Sequence, residues 1–141
     1  MILQCNFEEL RALAAGAEMV SAHDTVGESS AVAAPAEAAT QIDQLLPRLT
    51  GDLSINTLAD QRQVRAAVAA ICETLHDRLE ARVLEHHPAH EEAVANYFDY
   101  AHVRTVLHRL DTIGAEMNAM IEVMTGAPAT AESARTITFA D

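Results

Sequence analysis

The sequence contains no lysine and no tryptophan, and aromatic residues make up only 4% of its 141 residues. Its nine basic residues are all arginines, scattered along a chain with a formal net charge of −12. A protein that binds a nucleic-acid backbone needs a basic stripe to neutralise phosphates, so the sequence argues against a nucleic-acid partner. The acidic net charge is compatible with a regulator or inhibitor of a basic partner.

Cysteine and glycine are also scarce. Cys5 and Cys72 lie far apart and match no metal or redox spacing, so we expect two buried thiols in a reducing cytoplasm. With five glycines there is no glycine-rich phosphate loop, and no serine or cysteine lies in a nucleophile motif. No signal-peptide pattern and no run of about 18 apolar residues is present. The sequence therefore favours a cytoplasmic protein without a membrane span, and one that is not an enzyme and needs no cofactor.

Apolar residues are plentiful by contrast, at 50% of the chain. They are mostly Ala, Leu, Val and Ile, which is the composition of packed helices. This length and this apolar fraction predict a single domain over residues 1–141 with a real core.

The N-terminal part begins with a helix signal. Asn6 followed by Glu9 is a capping box, and helical spacing of apolar residues predicts a helix over 7–22. Residues 23–40 carry small and turn-forming residues and are interpreted as a flexible linker or loop. A further helix is expected over 36–46, where Ile42 keeps helical spacing.

Residues 57–125 are interpreted as a long antiparallel helical hairpin, in which Pro88 marks the one strong break. Thr57 with Asp60 three residues later resembles a second capping pair. A single apolar stripe on the first long helix is typical of a core-facing side, and it consists of Val64, Val68, Ile71, Leu75 and Leu79.

Three short segments outside the helices have strand character: residues 2–5, 53–55 and 135–139. The last lies in the C-terminal extension, 126–141, and alternates β-branched residues. The fold class predicted is therefore mainly α, a long-helix hairpin in a helical bundle, with a very small β-sheet formed by the termini.

The second long helix has two apolar faces, which means two neighbours to pack against. One face contains Val94, Tyr97, Phe98 and Ala101. The other is rotated from it by more than a quarter turn and contains Val106, Leu110, Ile113, Met117, Met120 and Met124. Either both neighbours are helices of the same chain, or one face is an oligomer interface.

The length of this helix favours an interface. At about 1.5 Å per residue, a helix over residues 88–124 is about 55 Å long, whereas a globule of this chain length is roughly 37 Å across. The projecting part carries methionines, which suit adaptable interfaces. We therefore expect a homo-oligomer, dimer or higher, or a subunit of a larger complex, whose interface residues are Ile113, Met117, Met120 and Met124.

A pair of carboxylate–histidine motifs suggests an alternative, a ferritin-like metal protein. Glu73 and His76 lie three apart on one long helix, and Asp99 and His102 lie three apart on the other. Helical bundles hold di-iron or di-manganese centres with such pairs. A turn beside Pro88 brings the two pairs level, but Glu73 points away from the core stripe of its own helix.

These patterns leave three functional interpretations. The first is a non-catalytic helical assembly or accessory subunit that acts through protein–protein interaction. The second is a protein that binds iron or manganese through Glu73, His76, Asp99 and His102. The third is an acidic regulator of a basic partner, which the net charge alone supports.

Overall fold

The computed structural model describes residues 1–25, 34–85 and 91–139. Within these ranges the chain forms five α-helices and a two-stranded antiparallel sheet. In chain order the elements are β1 (Ile2–Leu3), α1 (Phe7–Thr25), α2 (Ala34–Leu45), a short 3₁₀ turn (Leu46–Arg48), β2 (Leu53–Ser54), α3 (Leu58–Glu85), α4 (Glu91–Thr125) and α5 (Ala131–Thr136).

The predicted long-helix hairpin is confirmed. Helices α3 and α4 pack against each other along their length. Three side-chain contacts mark their register: Gln61 donates to the Leu110 carbonyl oxygen over 2.8 Å, Arg65 pairs with Asp111, and the His76 ring lies 5.6 Å from the Tyr100 ring. The predicted break at Pro88 lies outside the described residues.

The other helices complete a bundle around this pair. Helix α1 packs against both α3 and α4, α2 packs against α3 and α1, and α5 packs against α3. One apolar core lies between them. Its largest fully buried apolar side chains are Leu3, Leu13, Ile42, Leu53, Ile55, Leu58, Ile71, Leu75, Leu110, Met117 and Ile121.

Both predicted capping pairs are present. The Glu9 amide donates to Asn6 Oδ1 over 2.8 Å, and the Asn6 amide donates back to Glu9 Oε1 over 2.9 Å. The Asp60 amide donates to Thr57 Oγ1 over 3.0 Å. These bonds satisfy amides that have no partner within their own helix, which is why the sequence signals mark the starts of α1 and α3 correctly.

The sheet consists of two of the three predicted strands, each shorter than predicted, and the C-terminal segment is not part of it. Strand β1 pairs with β2, with Ile2 opposite Ser54 and Leu3 opposite Leu53. The strand predicted over 135–139 is wrong, because residues 131–136 form α5. The Thr130 side chain caps the amide of Ser133, and this capping box outweighs the β-branched pattern. After α5, the Phe139 amide donates to the Asn56 carbonyl oxygen over 2.6 Å.

The predicted linker over 23–40 is corrected at both ends. Helix α1 continues to Thr25, and residues 34–40 belong to α2. Alanine is the best helix former, and Pro35 is tolerated because it lies in the first turn. Residues 26–33 lie outside the described residues. Among the described helices, none is long and apolar enough to cross a membrane.

Candidate functional site

The four predicted metal ligands do not meet at one site. Glu73 and His76 are exposed on α3. Asp99 is buried on α4, where it accepts a hydrogen bond from Arg11 Nη2 of α1 over 3.0 Å. His102 is half-buried on the same helix. Since Asp99 is turned toward α1 and paired there, it is not part of a ligand set with the exposed α3 pair.

A different group brings potential ligand atoms together. Among the described residues, His76, Asp77 and Glu80 place one ligand atom each within 4.8 Å of one another. His76 Nδ1 is 3.6 Å from the Asp77 carboxylate, and the three side chains are exposed on one turn of α3. The sequence predicted His76 as a ligand but not Asp77 or Glu80. Their spacing could have indicated the group, because residues one and four positions after His76 lie near it on a helix. A transition metal could bind here with nitrogen and oxygen ligands.

The most buried charge in the described chain belongs to Glu9. Its side chain is almost fully buried, and Arg109 Nη1 donates to its carboxylate over 2.8 Å and to the Gln4 carbonyl oxygen over 2.9 Å. Burial alone raises the pKa of Glu9, but the hydrogen bonds from Arg109 and the Asn6 amide and the positive charge of Arg109 outweigh it and lower the pKa below its ordinary value. The sequence predicted the cap and not the ion pair, because Arg109 is distant in the chain.

A cleft of about 750 Å³ opens beside this ion pair, between β1, the start of α1 and the middle of α4. Burial, reinforced by the negative charge of Glu9, raises the pKa of the Cys5 thiol in its wall to about 11. The thiol is therefore protonated at neutral pH and is a poor nucleophile. The cleft is lined by Ile2, Leu3, Gln4, Cys5, Asn6, Glu9, Asp52, His108, Arg109, Thr112 and Ile113.

The buried Glu9 carboxylate makes stability depend on pH. Its pKa is lower in the folded chain, so its stabilising contribution is present above the ordinary value of 4.5 and is lost as the pH falls below it. We expect Glu9→Gln to lower the free energy of unfolding at pH 7, and this difference to shrink at about pH 3.5, as measured by urea unfolding.

The matched control is Glu8→Gln, which removes the same charge from the exposed neighbouring position. Its effect should be within about 0.5 kcal/mol at pH 7. Equal losses from Glu9→Gln and Glu8→Gln at pH 7 would contradict a specific role for the buried pair.

The aromatic residues are distributed unusually. Of three Phe and two Tyr, three are exposed: Phe7 at 76%, and Tyr97 and Phe98 at 55% each. The Tyr97 and Phe98 rings form an edge-to-face pair with centroids 6.0 Å apart. With Val94, also exposed, and half-buried Ala101 they form one side of α4, here called the aromatic face. The end of α3 also exposes Val83 and Leu84.

The predicted interface stripe is divided by the structure. Met117 is 0% exposed and belongs to the core of its own chain, so it cannot serve as an interface residue. Ile113 is half-buried against that core, while Met120 and Met124 remain exposed. The prediction for Met117 is wrong because helical spacing shows that residues share a side of α4 and not what covers that side. The predicted stripe is covered at Met117 and open at Met120 and Met124, and the aromatic face is open as well.

No protein-family model matches this chain, and no curated protein or solved structure matches it either.

Proposed function

We propose that this is a non-catalytic helical protein that acts by assembling, and that two copies associate through the aromatic face. The observation that carries the proposal is the exposure of Tyr97 and Phe98 in a chain with few aromatic residues. Tyrosine and phenylalanine are enriched in protein interfaces, because each covers a large area with little loss of conformational freedom.

The charge around the aromatic face supports a second copy as its partner. Between Ala93 and His108 the one acidic residue is Asp99, which is buried and paired with Arg11. Two chains that each carry a net charge of −12 repel most where acidic side chains approach each other. Since charges are screened beyond about 8 Å at physiological salt, local charge decides this cost. The aromatic face itself carries no acidic side chain, and exposed Glu91 lies one turn before Val94.

The apolar area is sufficient for a weak dimer. A Phe or Tyr side chain buries about 150–250 Å² when covered, so half-exposed Tyr97 and Phe98 offer about 100 Å² each. From two copies this amounts to about 400 Å², or about 10 kcal/mol before the cost of association. Val94 adds to it. Subtracting an association cost of at least about 4 kcal/mol leaves about 6 kcal/mol or less, so we expect a dissociation constant of about 40 μM or weaker.

We expect wild-type protein to sediment as a monomer–dimer equilibrium, and Phe98→Asp to raise the dissociation constant by about 30-fold or more. A charge placed in an apolar contact must be desolvated without a partner, and an interface anchor is worth about 2 kcal/mol. Sedimentation equilibrium at several salt concentrations measures this. Wild-type association should not weaken as salt increases, because screening reduces the repulsion between acidic copies.

Phe7→Asp is the matched control. It makes the same substitution at an aromatic residue that is more exposed but lies at the start of α1. We expect it to leave the dissociation constant unchanged. A wild-type protein that stays monomeric at high concentration, or an equal loss of association in both variants, would show that the aromatic face is not a self-association surface.

A further inference from the structure

The last turns of α4 expose a second apolar surface with different chemistry. Met120 is 48% exposed, Val123 85% and Met124 66%, whereas Ile121 of the same helix is buried. These three exposed residues are here called the methionine end. Methionine is unbranched and polarisable, so it adapts to varied apolar partners.

Negative charge lies beside the methionine end. Glu116 lies one turn before Met120 on the same side of α4, is exposed, and has no ion-pair partner among the described residues. Glu122 is also exposed, but it is one or two residues from each of these three residues and therefore points to another side of the helix. From Leu110 to Thr125 the helix contains no basic residue. The C-terminal end of a helix carries about half a negative charge, and no basic side chain in the last turn of α4 compensates it.

We propose that the methionine end binds a basic amphipathic helix of another protein. Apolar side chains of such a helix would cover Met120, Val123 and Met124, and a Lys or Arg side chain would pair with Glu116. A second copy of this chain does not fit here, because it would bring two Glu116 carboxylates and two negative helix ends together. The proposal is independent of self-association, because the aromatic face lies in an earlier part of α4.

The probe for this proposal is a fluorescently labelled peptide of about 18 residues made of Leu and Lys in amphipathic helical order. A scrambled peptide of the same composition controls for attraction to the net charge alone. Measured by fluorescence anisotropy, the amphipathic peptide should bind wild-type protein at least about tenfold more tightly than the scrambled one. Its binding should weaken as salt increases, unlike self-association through the aromatic face.

Two comparisons between variants localise the binding. Met120→Ser with Met124→Ser should reduce affinity for the amphipathic peptide to that of the scrambled peptide, while Phe98→Asp should leave it unchanged. Glu116→Gln should weaken binding about fivefold, as loss of one charged contact predicts. Glu122→Gln removes the same charge from another side of the same helix and should have little effect.

The outcomes separate a binding surface from general charge attraction. Equal affinity for the amphipathic and scrambled peptides would overturn the proposal. So would equal losses from Glu116→Gln and Glu122→Gln, or binding that Phe98→Asp abolishes. Each of these results is independent of whether the wild-type protein forms dimers.

Discussion

Met117→Glu should unfold the protein or lower its free energy of unfolding by more than about 4 kcal/mol. Met117 is fully buried in the core that α4 shares with its own chain. A carboxylate there must lose its hydration without a positive partner, and the stability of a domain is only about 5–15 kcal/mol. Circular dichroism during urea unfolding measures the loss.

Met120→Glu provides a close control, because it makes the same substitution three residues later on the same helix. Met120 is half-exposed, so its glutamate remains in water and should change stability by no more than about 0.5 kcal/mol. A Met117→Glu variant that remains folded and merely dissociates an oligomer would support the interface predicted from the sequence and contradict this structure.

Gly16→Val is expected to cost about 3 kcal/mol. A Cβ atom at Gly16 would overlap with Cγ2 of Ile71 and lie 3.3 Å from Cδ1 of Leu75, both on α3. Those side chains are fully buried and cannot move aside, so α1 must separate from α3. Thermal and urea unfolding measure the effect. Helix propensity alone predicts the opposite effect on stability when a glycine inside a helix is replaced by alanine. Glycine weakens a helix by about 0.5–1 kcal/mol relative to alanine, so that replacement would stabilise the protein.

Ala14→Val tests whether the cost arises from packing, because Ala14 is exposed on the same helix. It should cost less than about 1 kcal/mol, the range of helix propensities. Truncation of the opposing side chain should then compensate: Ile71→Ala should destabilise the Gly16→Val variant by at least about 1 kcal/mol less than it destabilises wild type. Additive effects would mean that Gly16 and Ile71 do not compete for the same space.

Local signals in the sequence were reliable where the interaction itself is local. The capping pairs Asn6–Glu9 and Thr57–Asp60 mark the starts of α1 and α3, since the bonded groups are three residues apart. The 3.6-residue period identified the long hairpin for the same reason. Residues 135–139 show the limit, because their strand pattern competed with a capping box at Thr130 that decided the local structure.

The candidate sites depend on contacts between distant parts of the chain. Helical spacing grouped Met117 with Met120, yet one is buried and the other exposed. The core contacts the side of α4 that carries Met117 and Ile121, and Met120 lies about 100° from Ile121 around the helix. The spacing of Asp99 and His102 is typical of metal ligands on a helix, but in the structure Asp99 forms an ion pair with Arg11 of α1.

By itself, the sequence determined the starts of α1 and α3, the long-helix hairpin and the acidic charge, because these follow from composition and from neighbours a few residues apart. The tertiary structure alone decided which side of each helix is covered. It buried Met117 and Ile121 in the core, left Met120 and the aromatic face open, and paired Glu9 with Arg109. Periodicity cannot contain this information, since burial depends on where α1, α2 and α5 pack against the hairpin.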